Sequence, residues 1–186
     1  MNYYFIRSIL LNEEAYISLV DDKNSDIKFY FLYDEGECPT EVIFQAQEGF
    51  NQTTIYETDL YSTDSSLLVF SESFYKCMGS IINNEVNLHP AKIKIKESFI
   101  NCYVAKIENI QDILDRNLTV YDNEFSDNSD DEETFIDYPV FKGNINNFIY
   151  CVKNTSEQQF VIFSEKFKSL CLANNMKIRF VTVDKT

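Results

Sequence analysis

The sequence is poor in the residues that most enzyme active sites use. It contains one histidine, His89, directly before Pro90, and only four glycines. Catalysis usually needs a general acid or base, an activated nucleophile or a metal ion. The sequence has no Walker loop, no G-x-G-x-x-G fingerprint and no H-E-x-x-H metal motif. A Cys–His or Ser–His site would have to use His89, for which we predict a structural role. We therefore expect a protein that is not an enzyme and has no cofactor.

Long apolar runs are also lacking. No stretch approaches the ~20 apolar residues of a membrane-spanning helix, and the first residues do not follow the signal-peptide pattern of a basic region and an apolar region. The five cysteines are odd in number and include no C-x-x-C pair. They are predicted to be buried free thiols in a reducing compartment, which favours a cytoplasmic location.

Positive charge is scarce. The chain has 16 basic and 30 acidic residues, which gives a formal net charge of -14. This charge repels nucleic acid and anionic membranes, because binding to them needs Lys and Arg to displace counterions. It attracts a basic protein partner and accelerates association with it. Acidity of this kind also serves solubility alone, so the charge by itself leaves both interpretations open.

What the chain does contain is enough apolar material for one α+β domain over residues 1–186. Its hydrophobic fraction is 45%, with 16 Phe and 12 Tyr. Residues 1–66 are predicted to be rich in strands, and residues 67–186 to form a core interrupted by an acidic insertion at 122–137. Strands are predicted at residues 3–11, 27–33, 86–95, 101–107, 148–152, 160–163 and 178–183. Pro90 is predicted to mark an edge or a bend.

Two segments share one pattern, in which an apolar strand is followed by a serine and then by a helix. Ser71 follows the first strand and Ser164 the second, and each serine is suited to cap a helix. Phe74, Cys77, Met78 and Ile81 recur at helical spacing in the first unit. The second unit repeats the spacing with Phe167, Leu170 and Cys171. We predict mixed sheets with a few short helices and two strand–Ser–helix–strand units. The alternative explanation for the similarity of the two segments is that each satisfies the same helix-capping rule independently.

The segment 122–137 is predicted to be an exposed, self-repelling loop, because it has eight acidic residues and no Lys or Arg. The acidic residues are Asp122, Glu124, Asp127, Asp130, Asp131, Glu132, Glu133 and Asp137. Oxygen ligands stand at alternate positions from Asp127 onward, as in a calcium loop. The loop lacks the glycine of the sixth position and the glutamate of the twelfth, where Tyr138 stands. No specific metal site is predicted.

Several short motifs resemble immunity protein family eleven of bacterial polymorphic toxin systems. They are residues 68–74 (LVFSESF), 86–95, 101–106 (NCYVAK), 113–115, 148–150, 160–167 (FVIFSEKF) and 178–183. The resemblance covers about the last two-thirds of the chain and brings no catalytic motif. It implies a cytoplasmic protein that neutralises a cognate toxin by direct, stoichiometric binding.

The charge and the resemblance lead to two sets of candidate contact residues. The first set lies in the acidic segment, where carboxylates can imitate a phosphate backbone before a basic, nuclease-type toxin. It consists of Asp127, Asp130, Asp131, Glu132 and Glu133. The alternative is that this segment is only a solvated loop. Ordering a flexible loop costs free energy, so an aromatic patch is the second candidate, with Tyr56, Tyr61 and Tyr121 as anchors.

Two other classes of function are alternatives to toxin neutralisation. One is a small hydrolytic enzyme that uses carboxylates, and the other is a scaffold protein or assembly subunit. The sequence leaves open the identity and activity of the toxin and the oligomeric state of the protein.

Overall fold

The computed structural model describes residues 2–10, 14–20, 24–122, 135–146 and 148–185, which form the predicted α+β structure. The strands are β1 (Tyr3–Ser8), β2 (Ile17–Leu19), β3 (Ile43–Ala46), β4 (Leu60–Tyr61), β5 (Val69–Ser71), β6 (Val86–Ile95), β7 (Ser98–Ile107), β8 (Ile110–Gln111), β9 (Val120–Asp122), β10 (Phe135–Tyr138), β11 (Cys151–Asn154), β12 (Val161–Ser164) and β13 (Ile178–Thr182). The helices are α1 (Asn24–Lys28), α2 (Glu72–Ile82) and α3 (Glu165–Ala173), with a π-helical turn at Phe29–Tyr33 and a 3₁₀ turn at Thr54–Tyr56.

The strands form two large sheets and one two-stranded ribbon. The six-stranded sheet has the order β2-β3-β6-β7-β5-β4, and the five-stranded sheet has the order β13-β1-β12-β11-β8. The ribbon consists of β9 and β10. Neighbouring strands are antiparallel except for the pairs β3–β6 and β8–β11, which are parallel. The sheets are therefore mixed.

Both large sheets contain the same split β-α-β unit. In the six-stranded sheet, α2 connects β5 to β6, and β7 lies between these strands and is antiparallel to both. In the five-stranded sheet, α3 connects β12 to β13, and β1 occupies the corresponding middle position. The predicted repeat of strand, serine and helix is confirmed and extends to the strand topology. In the six-stranded sheet, the middle strand β7 follows the other members of the unit in the sequence. In the five-stranded sheet, the middle strand β1 comes from the N-terminal part of the chain.

The two serines begin their helices in the same way. The backbone N–H of Phe74 donates to Ser71 Oγ at 3.0 Å, and that of Phe167 donates to Ser164 Oγ at 3.1 Å. Each side chain satisfies an N–H group that has no partner within the helix, which is worth about 1 kcal/mol per helix. Both predicted caps are confirmed.

Three apolar cores cover the faces of the sheets. The central core lies between the sheets and includes residues of α2 and α3. The ring centroids of Phe74 in α2 and Phe167 in α3 are 6.3 Å apart. A second core covers the far face of the six-stranded sheet beneath residues 27–31, and a third covers the far face of the five-stranded sheet. Along β12, Ile162 belongs to the third core and Phe163 to the central core. Successive residues of one strand thus point to opposite faces of the sheet and enter different cores.

Residues 27–33 are helical, which corrects the predicted strand. Ile27 and Phe31 are both buried in the core of the six-stranded sheet, and their separation of four residues is a helical period. Asp34 ends the π-helical turn in the left-handed conformation, with φ 59°, and its N–H donates to the carbonyl of Phe29. Aromatic residues favour strands in isolation, but packing decides the conformation here.

The buried face of α2 also differs from the prediction. Phe74, Met78 and Ile82 are buried, whereas Cys77 and Ile81 are exposed. Phe74 and Met78 are therefore buried as predicted, and the spacing i, i+4, i+8 continues to Ile82 instead of Ile81.

Pro90 does not lie on an edge strand, because β6 is paired on both sides. The neighbour β3 is paired only with residues 92–94 of β6, and Pro90 lies opposite Tyr103 of β7. Proline therefore occupies a part of β6 where the described strands provide a partner on one side only, and its missing N–H is tolerated there.

Three further boundaries or burial states differ from the predictions. The strand predicted at residues 148–152 is displaced to Cys151–Asn154, and part of the predicted acidic loop forms β10. All five cysteines are free thiols, and three of them are buried, as predicted. Cys38 and Cys77 are exposed, so the prediction of burial is wrong for these two.

Glu85 links the two large sheets through three hydrogen bonds that are buried or partly buried. Its carboxylate lies at the start of β6 and accepts the backbone N–H groups of Ile149, Tyr150 and Cys151 at 2.5, 2.6 and 3.1 Å. These three residues lead into β11 of the opposite sheet. Asp59 makes a second link, because its carboxylate accepts the backbone N–H of Lys177, just before β13, at 2.8 Å. The same carboxylate accepts the hydroxyl of Ser71 in β5.

A buried lysine makes the third link. The Lys153 side chain is only 1% exposed, and its Nζ lies 3.0 Å from Asp34 Oδ2 and 2.9 Å from the carbonyl oxygen of Leu32. The other oxygen of Asp34 lies 2.9 Å from Lys106 Nζ on β7. Burial by itself would raise the pKa of Asp34, but hydrogen bonds from Lys106 and Lys153 outweigh it and lower this pKa below its ordinary value.

Substituting Glu85 tests the first link. Glu85→Gln should lower the free energy of unfolding by about 2–3 kcal/mol, because a charged acceptor of three buried or partly buried N–H groups is replaced by an amide. Glu108→Gln is the matched control, since Glu108 is exposed and accepts one hydrogen bond from Asn87. The control should change stability by less than about 0.5 kcal/mol in denaturant titrations. Equal effects of the two substitutions would contradict the role of Glu85.

Acid titration tests the third link. A lowered folded-state pKa means that ionised Asp34 stabilises the fold above about pH 4 and that this contribution is lost as the pH falls through that pKa. Asp34→Asn should cost about 3 kcal/mol at pH 7, because the buried ammonium group of Lys153 loses its anionic partner. Asparagine tolerates the left-handed backbone, so the substitution isolates the charge. The difference between wild type and variant should shrink from about pH 4 to pH 2. The exposed control Asp64→Asn should cost less than about 0.5 kcal/mol at pH 7.

Candidate functional site

The ribbon of β9 and β10 carries the acidic segment at its end. Asp122 is paired with Phe135, Tyr121 with Ile136 and Val120 with Tyr138. The register shifts between Ile136 and Tyr138. The two strands therefore bring together Asp122 and Phe135, which flank residues 123–134 in the sequence. Asp127, Asp130, Asp131, Glu132 and Glu133, the first set of candidate contacts, lie outside the described residues.

One face of the ribbon exposes apolar groups. The paired side chains of Val120 and Tyr138 are 50% and 49% exposed, and the nearby Leu118 is 53% exposed. The other face is directed inward, because Ile136 packs against the core of the five-stranded sheet and Tyr121 is half-buried. Tyr121 therefore contributes less surface to a partner than its neighbour Tyr138, which sequence reasoning did not select.

The base of the ribbon is held by hydrogen bonds. Thr119 Oγ1 donates to the carbonyl of Val140 at 3.3 Å and accepts its N–H at 3.2 Å. The hydroxyl of Tyr138 donates to Asp184, and Lys142 forms an ion pair with Asp112 at 2.8 Å. The exposed apolar face is consequently displayed on an ordered support, which limits the conformational entropy that binding would cost.

Tyr56 and Tyr61 lie together at a different surface. They line an open cavity of about 640 Å³ beside the start of α2. Tyr56 is 67% exposed, but Tyr61 is only 4% exposed, and its hydroxyl donates to the carbonyl of Ile55. Burial raises the pKa of Tyr61. Tyr61 is therefore a core residue and not an exposed anchor, which corrects its selection as a contact.

His89 has an environment that the sequence did not indicate. Its ring lies edge-to-face against Tyr30 and Phe31, with centroid distances of 5.6 and 5.2 Å. These contacts fit the predicted structural role. Its Nδ1 also lies 3.7 Å from Sγ of the exposed Cys38, 51 residues away in the chain. The missed helix at residues 27–33 positions Tyr30 beside this pair, so no local pattern could have identified the group.

The described part of the chain shows neither a metal centre nor a membrane-spanning helix. Across those residues, no three His, Cys, Asp or Glu side chains are grouped so that they could hold a metal ion. None of the helices found there combines the length and the apolar character needed to cross a membrane.

Comparison with models of known protein families and with curated proteins finds no match for this chain. The resemblance to immunity protein family eleven therefore stays a prediction that rests on the motifs in the sequence.

Proposed function

We propose that this protein is an immunity protein that neutralises a cognate, basic toxin by direct binding to the ribbon and its acidic segment. The observation that carries the proposal is the combination of exposed Val120 and Tyr138 with the dense carboxylates that lie between them in the sequence. Apolar anchors beside charges of one sign suit a protein partner of opposite charge. The motifs that resemble immunity protein family eleven favour a toxin as that partner.

The charges and the anchors have different tasks in this proposal. Eight acidic residues within sixteen positions create a local negative potential that raises the rate of encounter with a basic surface. The aromatic and aliphatic side chains at the base of the segment then lose contact with water and slow dissociation. A nuclease would fit this description, because its substrate site is basic and carboxylates can occupy the positions of phosphates.

Co-expression tests the proposal directly. The chain should protect cells from the toxic product of the adjacent gene and should co-purify with it in a 1:1 complex. A non-toxic neighbour that does not bind the chain would contradict the proposal. Catalytic turnover of the neighbour or of its substrate by the chain would favour the hydrolytic alternative.

The exposed anchors can be tested by substitution in that complex. Tyr138→Ala should weaken toxin binding about 30-fold, in keeping with about 2 kcal/mol for a central tyrosine anchor. Tyr138→Phe controls for the loss of the hydrogen bond to Asp184, and calorimetry would measure both affinities. Tyr56→Ala reports on the other surface. A loss of affinity for Tyr56→Ala but not for Tyr138→Ala would move the interface away from the ribbon.

The acidic segment can be tested through its effect on the association rate. Replacement of Asp127, Asp130, Asp131, Glu132 and Glu133 by their amides should slow association at least tenfold at low salt, and the difference should shrink at high salt. The matched control makes the same change of net charge at five exposed positions elsewhere. These positions are Glu35, Glu48, Glu57, Asp64 and Glu97. Equal slowing in both variants would show that only total charge matters.

A further inference from the structure

Cys38, His89 and Tyr30 form a group of reactive side chains away from the ribbon. The sulfur of Cys38 lies 3.7 Å from His89 Nδ1 and 3.8 Å from the carbonyl oxygen of Pro39. The Tyr30 ring lies edge-to-face against the His89 ring, with the two centroids 5.6 Å apart. Cys38 comes from the loop after the π-helical turn, His89 from β6 and Tyr30 from the turn itself. The protein thus places a thiol beside an imidazole nitrogen that can accept its proton, with a phenol ring against the imidazole.

The surroundings keep the imidazole neutral and the phenol protonated. Burial, followed by the nearby charge of Lys106, lowers the pKa of His89, and Glu108 opposes this shift. The hydrogen bond to Cys38, burial, and the charges of Glu108 and Asp34 raise the pKa of Tyr30 to about 12. At neutral pH, His89 is therefore available to accept a proton, and Tyr30 is available to donate a hydrogen bond to sulfur.

The remaining nitrogen of His89 is informative. Nε2 is buried and has no hydrogen-bond partner in the described structure. An N–H or acceptor that is buried without a partner is costly, and such groups are rare in folded proteins. If position 89 served only to pack a ring against Tyr30 and Phe31, an apolar ring would avoid the buried, unpartnered nitrogen. The contact between His89 and Cys38 explains why a histidine is present instead.

Reactants can reach the thiol through an open cavity. Cys38 lines a space of about 780 Å³ whose walls include Ile27, Phe29 and Ile43. Carboxylates also line this space, and they come from Asp26, Glu35, Glu37 and Glu41. A cavity with apolar walls and negative charge admits neutral or cationic molecules and disfavours anions.

We propose that Cys38 is a reactive thiol, with His89 as its proton acceptor and Tyr30 as its hydrogen-bond donor, and that neutral or cationic electrophiles such as hydroperoxides modify it. With a hydroperoxide, the sulfur attacks the terminal oxygen, the S–O bond forms and the O–O bond breaks. The thiol proton passes to His89 Nδ1 and then to the departing alkoxide or hydroxide. The cysteine is oxidised to a sulfenic acid, and the hydroperoxide is reduced to an alcohol or water. This inference does not depend on toxin binding.

The chain contains its own control, because Cys77 is also exposed but has no imidazole partner, and the other three thiols are buried. Burial raises the pKa of Cys102, Cys151 and Cys171, so they stay unreactive in the folded protein. Labelling of the full chain with iodoacetamide, followed by mass spectrometry of each cysteine peptide, measures both exposed thiols in one sample. Cys38 should react at least tenfold faster than Cys77 at pH 7, because an imidazole nitrogen lies beside the Cys38 sulfur.

Two substitutions and a charged reagent complete the experiment. His89→Gln should bring the ratio of the two labelling rates close to one at pH 7, and Tyr30→Phe should lower it partly while keeping the ring in place. Iodoacetate, which is anionic, should lose more of its rate at Cys38 than at Cys77. Hydrogen peroxide should convert Cys38 selectively to a sulfenic acid that dimedone traps. Equal labelling of Cys38 and Cys77 from pH 6 to pH 9 in the wild-type protein would overturn the proposal.

Discussion

Glu85 provides the contact on which the arrangement of the two large sheets depends. Three consecutive backbone N–H groups before β11 point into a region where the sheets meet, and one carboxylate from the start of β6 accepts all of them. Without that acceptor, a buried N–H group such as that of Cys151 would cost about 1–3 kcal/mol. The same carboxylate therefore satisfies the entry to β11 and connects the start of β6 to it. Apolar packing in the central core has no such directional requirement.

The two split units meet in this central core and resemble each other residue by residue. Each capping serine is preceded by a buried phenylalanine, Phe70 or Phe163, and is followed three positions later by another. The units differ in the source of the middle strand. In the five-stranded sheet, β1 is supplied from the opposite end of the chain, and Tyr3 pairs with Ser164. The second unit can therefore close only after the two ends of the chain have come together, which makes its pairing strongly non-local.

The acidic residues of the chain fall into two classes with different physical tasks. Glu85, Asp59 and Asp34 accept hydrogen bonds from the opposite sheet, so their charges are neutralised by local contacts. The acidic segment 122–137 holds eight acidic residues and no Lys or Arg. Net charge alone cannot separate these classes, because it counts a carboxylate that accepts hydrogen bonds in the fold and a carboxylate of this acidic segment equally. The second class is the one that supports the proposed binding of a basic toxin.

The sequence by itself determined the α+β class, both serine caps, the strands that precede them and the two strands β6 and β7. These features depend on local rules of spacing, capping and alternation, which operate within a few residues. Tertiary structure alone decided that residues 27–33 are helical, that Tyr61 is buried and that Cys38 lies beside His89. It also selected Tyr138 as the exposed aromatic residue of the ribbon. Burial and side-chain contacts between distant residues depend on how the sheets pack, and periodicity along the chain contains no information about that packing.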